Sequence, residues 1–123
     1  MMRDQNGSAR DLAIVEKYEA TVTYLYPILQ TFPRKHGCLR DRMIDLVFEM
    51  VGLLYQAAKS KQASRLYAAD AHLATLRYWL RFACGLKLLS HRQHQVALRH
   101  VAETGAMLGV WIRDAKGNGR SGQ

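Results

Sequence analysis

The stretch Arg65–Phe82 (RLYAADAHLATLRYWLRF) limits the possible folds of this chain more than any other. It has no glycine or proline, and Leu66, Ala69, Leu73, Leu76, Leu80 and Ala83 recur in steps of three and four. At about 100° per residue those positions share one face of an α-helix. The far side is apolar as well: Tyr67, Ala71, Tyr78 and Phe82 lie opposite Leu73, with Trp79 on a third side. A helix apolar nearly all round is normally covered all round. A small bundle buries only one stripe per helix, so the second face calls for contact with another subunit. Arg77 and Arg81 break the apolar wall one turn apart, while Asp70 is too far along for the favoured i to i+4 ion pair. Two roles stay open for these arginines. They form salt bridges between helices or subunits, or they offer paired guanidiniums, flanked by aromatic rings, to phosphate or to a partner's carboxylates.

Three more amphipathic segments accompany this helix. Val15, Tyr18, Val22, Leu25, Leu29 and Phe32 form the first stripe, widened by Ile14 and Ile28, with Ser8 or Asp11 as the cap. Pro27 within it predicts a kink, and Phe32-Pro33 ends it. The second helix spans about residues 39–58. Leu39, Met43, Leu46, Met50, Leu53 and Ala57 make one row and Ile44, Val47, Val51 and Leu54 the next. Phe48 and Tyr55 form an aromatic row off that seam, suited to a subunit contact, and Arg42 and Asp45 are spaced to pair weakly. Ser64 caps the central helix, and Gly85 ends it where a left-handed residue is expected. Ser90 and Gln93 make a capping-box pair for a fourth helix over about residues 91–114, with Leu98, Val101, Gly105, Leu108 and Ile112 facing inward. Gly105 and Gly109 leave a smooth strip; each glycine costs about 1 kcal/mol relative to alanine, so close approach of another helix is expected there.

Four helices with short connectors predict an all-α fold, an antiparallel up-down four-helix bundle over residues 9–115. Residues 1–8 are expected to be a disordered arm and residues 116–123 a flexible basic tail. Chain direction gathers Arg34, Lys35, His36, Arg40, Lys87, His91, Arg92 and His94 at one end, and Lys59, Lys61 and Arg65 with both termini at the other. Basic ends and partly apolar walls point to a ring or barrel of bundles with positive rims, although a simple dimer would use the same residues. The excess of 18 Lys+Arg over 10 Asp+Glu leaves a formal charge of +8, which suits a polyanion: nucleic acid or an acidic protein surface.

Other chemistry finds little support in the residues. No apolar run approaches the ~18 residues of a membrane span, the first residues lack the apolar core of a signal peptide, and Cys38 and Cys84 have no metal-type spacing. A cytoplasmic protein with ordinary thiols is expected. Di-iron bundles need repeated Glu-x-x-His pairs, whereas here a single His100-x-x-Glu103 runs in reverse order. His91 and His94 have ligand spacing but no acidic or thiol neighbour in sequence, so a solvated pair is expected. The expectation is a binding protein without catalytic residues, metal or cofactor.

Several strings together resemble one family. Ile14-Val-Glu-Lys-Tyr18, Tyr24-Leu-Tyr-Pro27, Pro33-Arg-Lys-His-Gly37, Leu66-Tyr-Ala-Ala-Asp-Ala71 and Leu76-Arg-Tyr-Trp-Leu-Arg-Phe82 closely resemble the accessory variability determinant (Avd) proteins of diversity-generating retroelements. These belong to a wider four-helix-bundle family that includes proteins encoded in 23S rRNA intervening sequences. The likeness covers about residues 12–115. It implies a homopentameric barrel that binds the element's reverse transcriptase and nucleic acid, RNA or DNA without sequence preference, in support of mutagenic retrohoming, while the polymerase does the chemistry. On this reading Arg77, Arg81, Arg34, Lys35, His36, Lys59, Lys61, Arg65 and Arg92 meet polymerase or nucleic acid. Tyr67, Tyr78, Trp79, Phe82, Phe48 and Tyr55 meet neighbouring subunits. The alternative is a protein-only assembly factor of the intervening-sequence type.

Overall fold

The computed structural model of the chain describes the backbone of residues 5–121 and the side chains of residues 13–117. The elements are α1 (Gln5–Leu29), a 3-10 turn (Arg34–His36), α2 (Gly37–Ser60), α3 (Ala63–Gly85) and α4 (His91–Ser121). Each helix packs on its chain neighbours, α1 and α4 close the ring, and among the described residues the backbones of the diagonal pairs stay apart. This is the up-down bundle that short connectors demand. Helix α1 is already formed at Gln5 and α4 continues to Ser121, so helix occupies part of the regions expected as arm and tail. Residues 1–4 and 122–123 of those regions lie outside the described residues.

The core forms where the apolar periods point inward. Leu66, Ala69, Leu73, Leu76, Leu80 and Ala83 are all buried, the full stripe expected of α3. In α2 the buried set is Met43, Leu46, Val47, Met50, Leu54, Ala57 and Ala58, with Leu39, Ile44, Val51 and Leu53 half-buried beside it. In two stripes most expected positions are buried, among them Tyr18, Leu25, Leu29, Val101 and Leu108, while the others give way to a neighbouring residue. In α1 the inward positions are Ile14, Tyr18, Thr21, Leu25 and Leu29, leaving Val15 and Val22 at the margin. In α4 they are Ala97, Val101, Thr104 and Leu108, with Leu98 and Ile112 at the margin. Thr21 and Thr104 are buried with hydroxyls that make no hydrogen bond among the described residues. Hydropathy alone could not place them inside.

Side-chain hydrogen bonds fix the register of three helices. The Tyr18 hydroxyl of α1 donates to the Val47 carbonyl at 2.7 Å, and His72 Nε2 of α3 meets the adjacent Leu46 carbonyl at 2.8 Å. Two successive carbonyls of α2 are thus held from opposite sides. Burial without a nearby cation pushes the Tyr18 phenol far above its ordinary range, so it remains a donor.

The helix ends follow the sequence in part. Ser90 and Gln93 form the reciprocal capping box: Gln93 N–H donates to Ser90 Oγ at 3.0 Å, and Ser90 N–H to Gln93 Oε1 at 2.9 Å. Ser64 is not a cap; α3 begins at Ala63, behind an extended Gln62. Ser8 and Asp11 both lie inside α1. Gly85 is not left-handed either, because the helix runs through it and Lys87 takes the positive φ of 65°. Lys87 N–H then reaches the Cys84 carbonyl at 2.9 Å and Leu88 N–H the Ala83 carbonyl at 3.0 Å. Those two bonds make a Schellman closure, with Leu88 packed on the core. Lys61, at φ 57°, closes α2 in a similar left-handed turn. Pro27 falls in the last turn of α1, with only Ile28 and Leu29 following in the helix. The expected Arg42–Asp45 pair is absent among the described residues; Arg40 Nε donates to Asp41 Oδ1 instead, at 2.9 Å.

Candidate functional site

The side of α3 that turns away from the leucine stripe is bare. Tyr67, Tyr78 and Phe82 are exposed, Tyr78 at 48 %. Trp79, half-buried on the α2 side, makes edge-to-face contacts with Tyr78 (centroids 4.9 Å apart) and Phe82 (5.6 Å). The rings thus form one array, and edge-to-face geometry holds them rigid without covering them.

Arg77 and Arg81 lie beside that array, facing α4. They line a groove of about 370 Å³ with Ala74, Tyr78, His94 and Leu98. A second groove of about 440 Å³ adjoins it across Tyr78 and Arg81, and continues over Phe82, Gly85 and Leu86. The Arg81 guanidinium stands 5.4 Å from the Tyr78 ring centre, a cation–π contact that locates the charge. Arg77 is half-buried, and neither it nor Asp70 makes an ion pair among the described residues. Among the described residues, then, neither arginine forms an interhelix salt bridge. His94 is half-buried with Nε2 shielded and unpartnered, and His91 Nδ1 lies 3.8 Å from the free thiol of Cys84. His91 is exposed as expected; His94 is not, and Cys84 is a thiol neighbour that the local sequence did not show.

The remaining predicted cations separate into two groups. Arg34, Lys35 and Arg92 are exposed, and His36 is half-buried, at the end carrying the α1–α2 and α3–α4 turns. Lys59, Lys61 and Arg65 lie at the opposite end, where Lys61 stands 4.9 Å over the Trp111 ring and Arg65 Nη1 donates to Gln56 Oε1 at 2.6 Å. Lys116 adds a further contact there, 5.9 Å from the Tyr67 ring centre.

A separate aromatic patch lies across the bundle. Phe48, 49 % exposed, tilts against Tyr26 at 5.5 Å, and Tyr55 follows two turns along α2. The α1–α2 side and the α3–α4 side are opposite sides of the bundle; both carry exposed rings, and the second combines them with Arg77 and Arg81. Tyr26, Leu86 and Val110 are exposed members of this surface that sequence reading did not single out. Tyr26 belongs to none of the positions of the first apolar stripe, and no pattern in the sequence paired it with Phe48.

Among the described residues no three His, Cys, Asp or Glu side chains gather to hold a metal ion, and no helix is long and apolar enough to cross a membrane. No curated protein matches the chain. A family model described as bAvd-like matches residues 12–115, which takes in the greater part of all four helices and every site residue named above apart from Lys116. With more than half of its length covered, the chain belongs to the bAvd-like family, the bacterial accessory variability determinant proteins.

Proposed function

We propose that this protein is a non-enzymatic accessory factor of a diversity-generating retroelement. It assembles as a homopentameric barrel and binds the element's reverse transcriptase together with template RNA or the RNA–DNA product. Family membership supports the retroelement role. The observation that carries the binding mode is Arg77, a half-buried guanidinium with no anion partner among the described residues, next to Arg81. Burying a charge is unfavourable unless something of opposite sign meets it. That partner comes from outside the chain.

The apolar faces on opposite sides of the bundle suit a head-to-tail arrangement, in which each copy offers one face to the copy before it and the other to the copy after. Such contacts close into rings. Tyr67, Tyr78, Trp79 and Phe82 would lie on one side of each contact, Phe48 and Tyr55 on the other.

Light scattering of the pure protein tests the assembly: five subunits are expected, and a single subunit in dilute solution would overturn it. Co-purification with the reverse transcriptase tests the partnership, and RNA affinity measured across a salt series tests the nucleic-acid role. Phosphate contacts release counterions, so affinity should fall steeply with salt and vary little with sequence. Capture of the polymerase with no RNA affinity at any salt would favour the protein-only assembly factor.

A further inference from the structure

We infer that nucleic acid is gripped at one end of the bundle only, the end bearing the α1–α2 and α3–α4 turns, with the Arg77–Arg81 groove as its anchor. This rests on the nucleic-acid part of the function proposed above. In sequence the two ends look alike, since each collects lysines and arginines. In the fold most of their cations are in different states; Arg113, exposed near the far end and without an interaction among the described residues, is an exception.

At the far end Lys61 is held over Trp111 and Arg65 bonds Gln56, while Lys116 reaches the Tyr67 ring. Swinging any of them onto a phosphate gives up an existing interaction. At the turn end Arg34, Lys35, Lys87 and Arg92 are exposed, and their side chains make no hydrogen bond or ion pair among the described residues. Arg77 is likewise without a partner among them. Arg81 keeps its donors available, because a guanidinium over a ring uses its face and not its N–H groups.

The number of unmatched cations decides what kind of ligand fits. One carboxylate could neutralise the Arg77–Arg81 pair, but the run continues through Lys87 and Arg92 and resumes at Arg34 and Lys35 across the same end. Asp41, the acid nearest the first turn, is already occupied by Arg40 at 2.9 Å. A ligand carrying one negative charge per repeat matches such a run; an isolated acidic side chain does not. A phosphodiester backbone has that form.

The test is fluorescence anisotropy with a short labelled single-stranded RNA, using the assembled full chain. Arg77→Gln/Arg81→Gln keeps most of the packing of both stems. Lys87→Glu/Arg92→Glu changes only exposed positions. Each double variant is expected to bind at least about tenfold more weakly, and the slope of log affinity against log salt should flatten by about 0.7 for every phosphate that is no longer neutralised. Lys61→Ala/Arg65→Ala at the far end should change affinity less than about twofold on the same reasoning. Circular dichroism and light scattering show whether each variant keeps its fold and assembly. Should the glutamine pair disturb either one, the exposed Lys87→Glu/Arg92→Glu pair decides. Equal losses at both ends would overturn the single-ended grip while leaving nucleic-acid binding intact. Wild-type protein that binds no RNA at low salt would overturn both.

Discussion

The two faces of α3 are built from equally apolar residues yet meet opposite fates. The inner face, Leu66 through Ala83, is sealed inside the bundle, with α2 and α4 packed on either side of it. The outer face holds Tyr67, Tyr78 and Phe82, exposed despite rings large enough to dominate an interface. The difference teaches that hydropathy fixes how much surface a helix must hide, whereas topology fixes how much of it the chain itself can hide. In an up-down bundle only one stripe per helix reaches the core. What remains apolar outside that stripe is available to another copy or another molecule.

The sharpest way to break this comparison is to damage the inner face. Leu76 is fully buried in the middle of α3, so Leu76→Ala should destabilise the subunit by about 3 kcal/mol, through reduced burial and the cavity left behind. Chemical denaturation checks this, and a loss under about 1 kcal/mol would mean that the stripe does not carry the fold. Of all the elements this one was the most legible in the sequence, because its six stripe positions follow the helical period without a miss. Less legible were the stripes of α1 and α4. There Thr21 and Thr104 occupy core positions where the apolar spacing pointed to Val22 and Gly105, although most of each stripe stays in place. The candidate site was legible as a set of residue types and not as an arrangement. Charge counting could not tell that Lys61 would sit on Trp111 while Arg77 stayed unpaired, because those outcomes depend on contacts between helices far apart in sequence.

A smaller effect sharpens the picture of the inner surface. Tyr18→Phe removes the hydroxyl that grips the Val47 carbonyl, and should cost about 1 kcal/mol near neutral pH. Its pH dependence is more diagnostic. The folded phenol has its pKa raised by burial, while the unfolded one ionises at about 10. Tyr18 therefore contributes its full stability below pH ~10, and above that the unfolded state sheds its proton first. Stability falls with rising pH, at up to about 1.4 kcal/mol per unit from this single group. Alkaline unfolding should be displaced to higher pH in Tyr18→Phe relative to its own neutral-pH stability. Parallel alkaline curves for the two proteins would show that Tyr18 already ionises in the fold.

The glycines of α4 separate inner from outer in another way. A Cβ at Gly105 would meet Leu73 Cδ1 at 3.8 Å, an ordinary contact, and one at Gly109 would meet nothing within 4 Å. The bundle itself therefore does not require either glycine. Gly109→Ala should stabilise the isolated subunit by about 0.5–1 kcal/mol through helix propensity. If the same change weakens assembly in light scattering, the smooth strip serves a neighbour. If assembly is untouched, the strip has no packing role at all.

The smallest change in subunit stability belongs to the outer aromatic face, and it is the one that decides what that face is for. Tyr67→Ser, Tyr78→Ser and Phe82→Ser each replace an exposed ring, so each should shift the stability of a dilute subunit by no more than about 0.5 kcal/mol. Assembly should respond quite differently. Aromatic anchors at the centre of an interface cost about 2 kcal/mol or more when truncated, so the triple variant should dissociate at concentrations where the wild type holds together. Phe48→Ser/Tyr55→Ser on the opposite face should do the same, because a head-to-tail interface can be broken from either side. A variant on one face that dissociates the assembly while its counterpart on the other leaves it whole would rule out head-to-tail pairing of these faces, and would leave the undamaged face to a different partner.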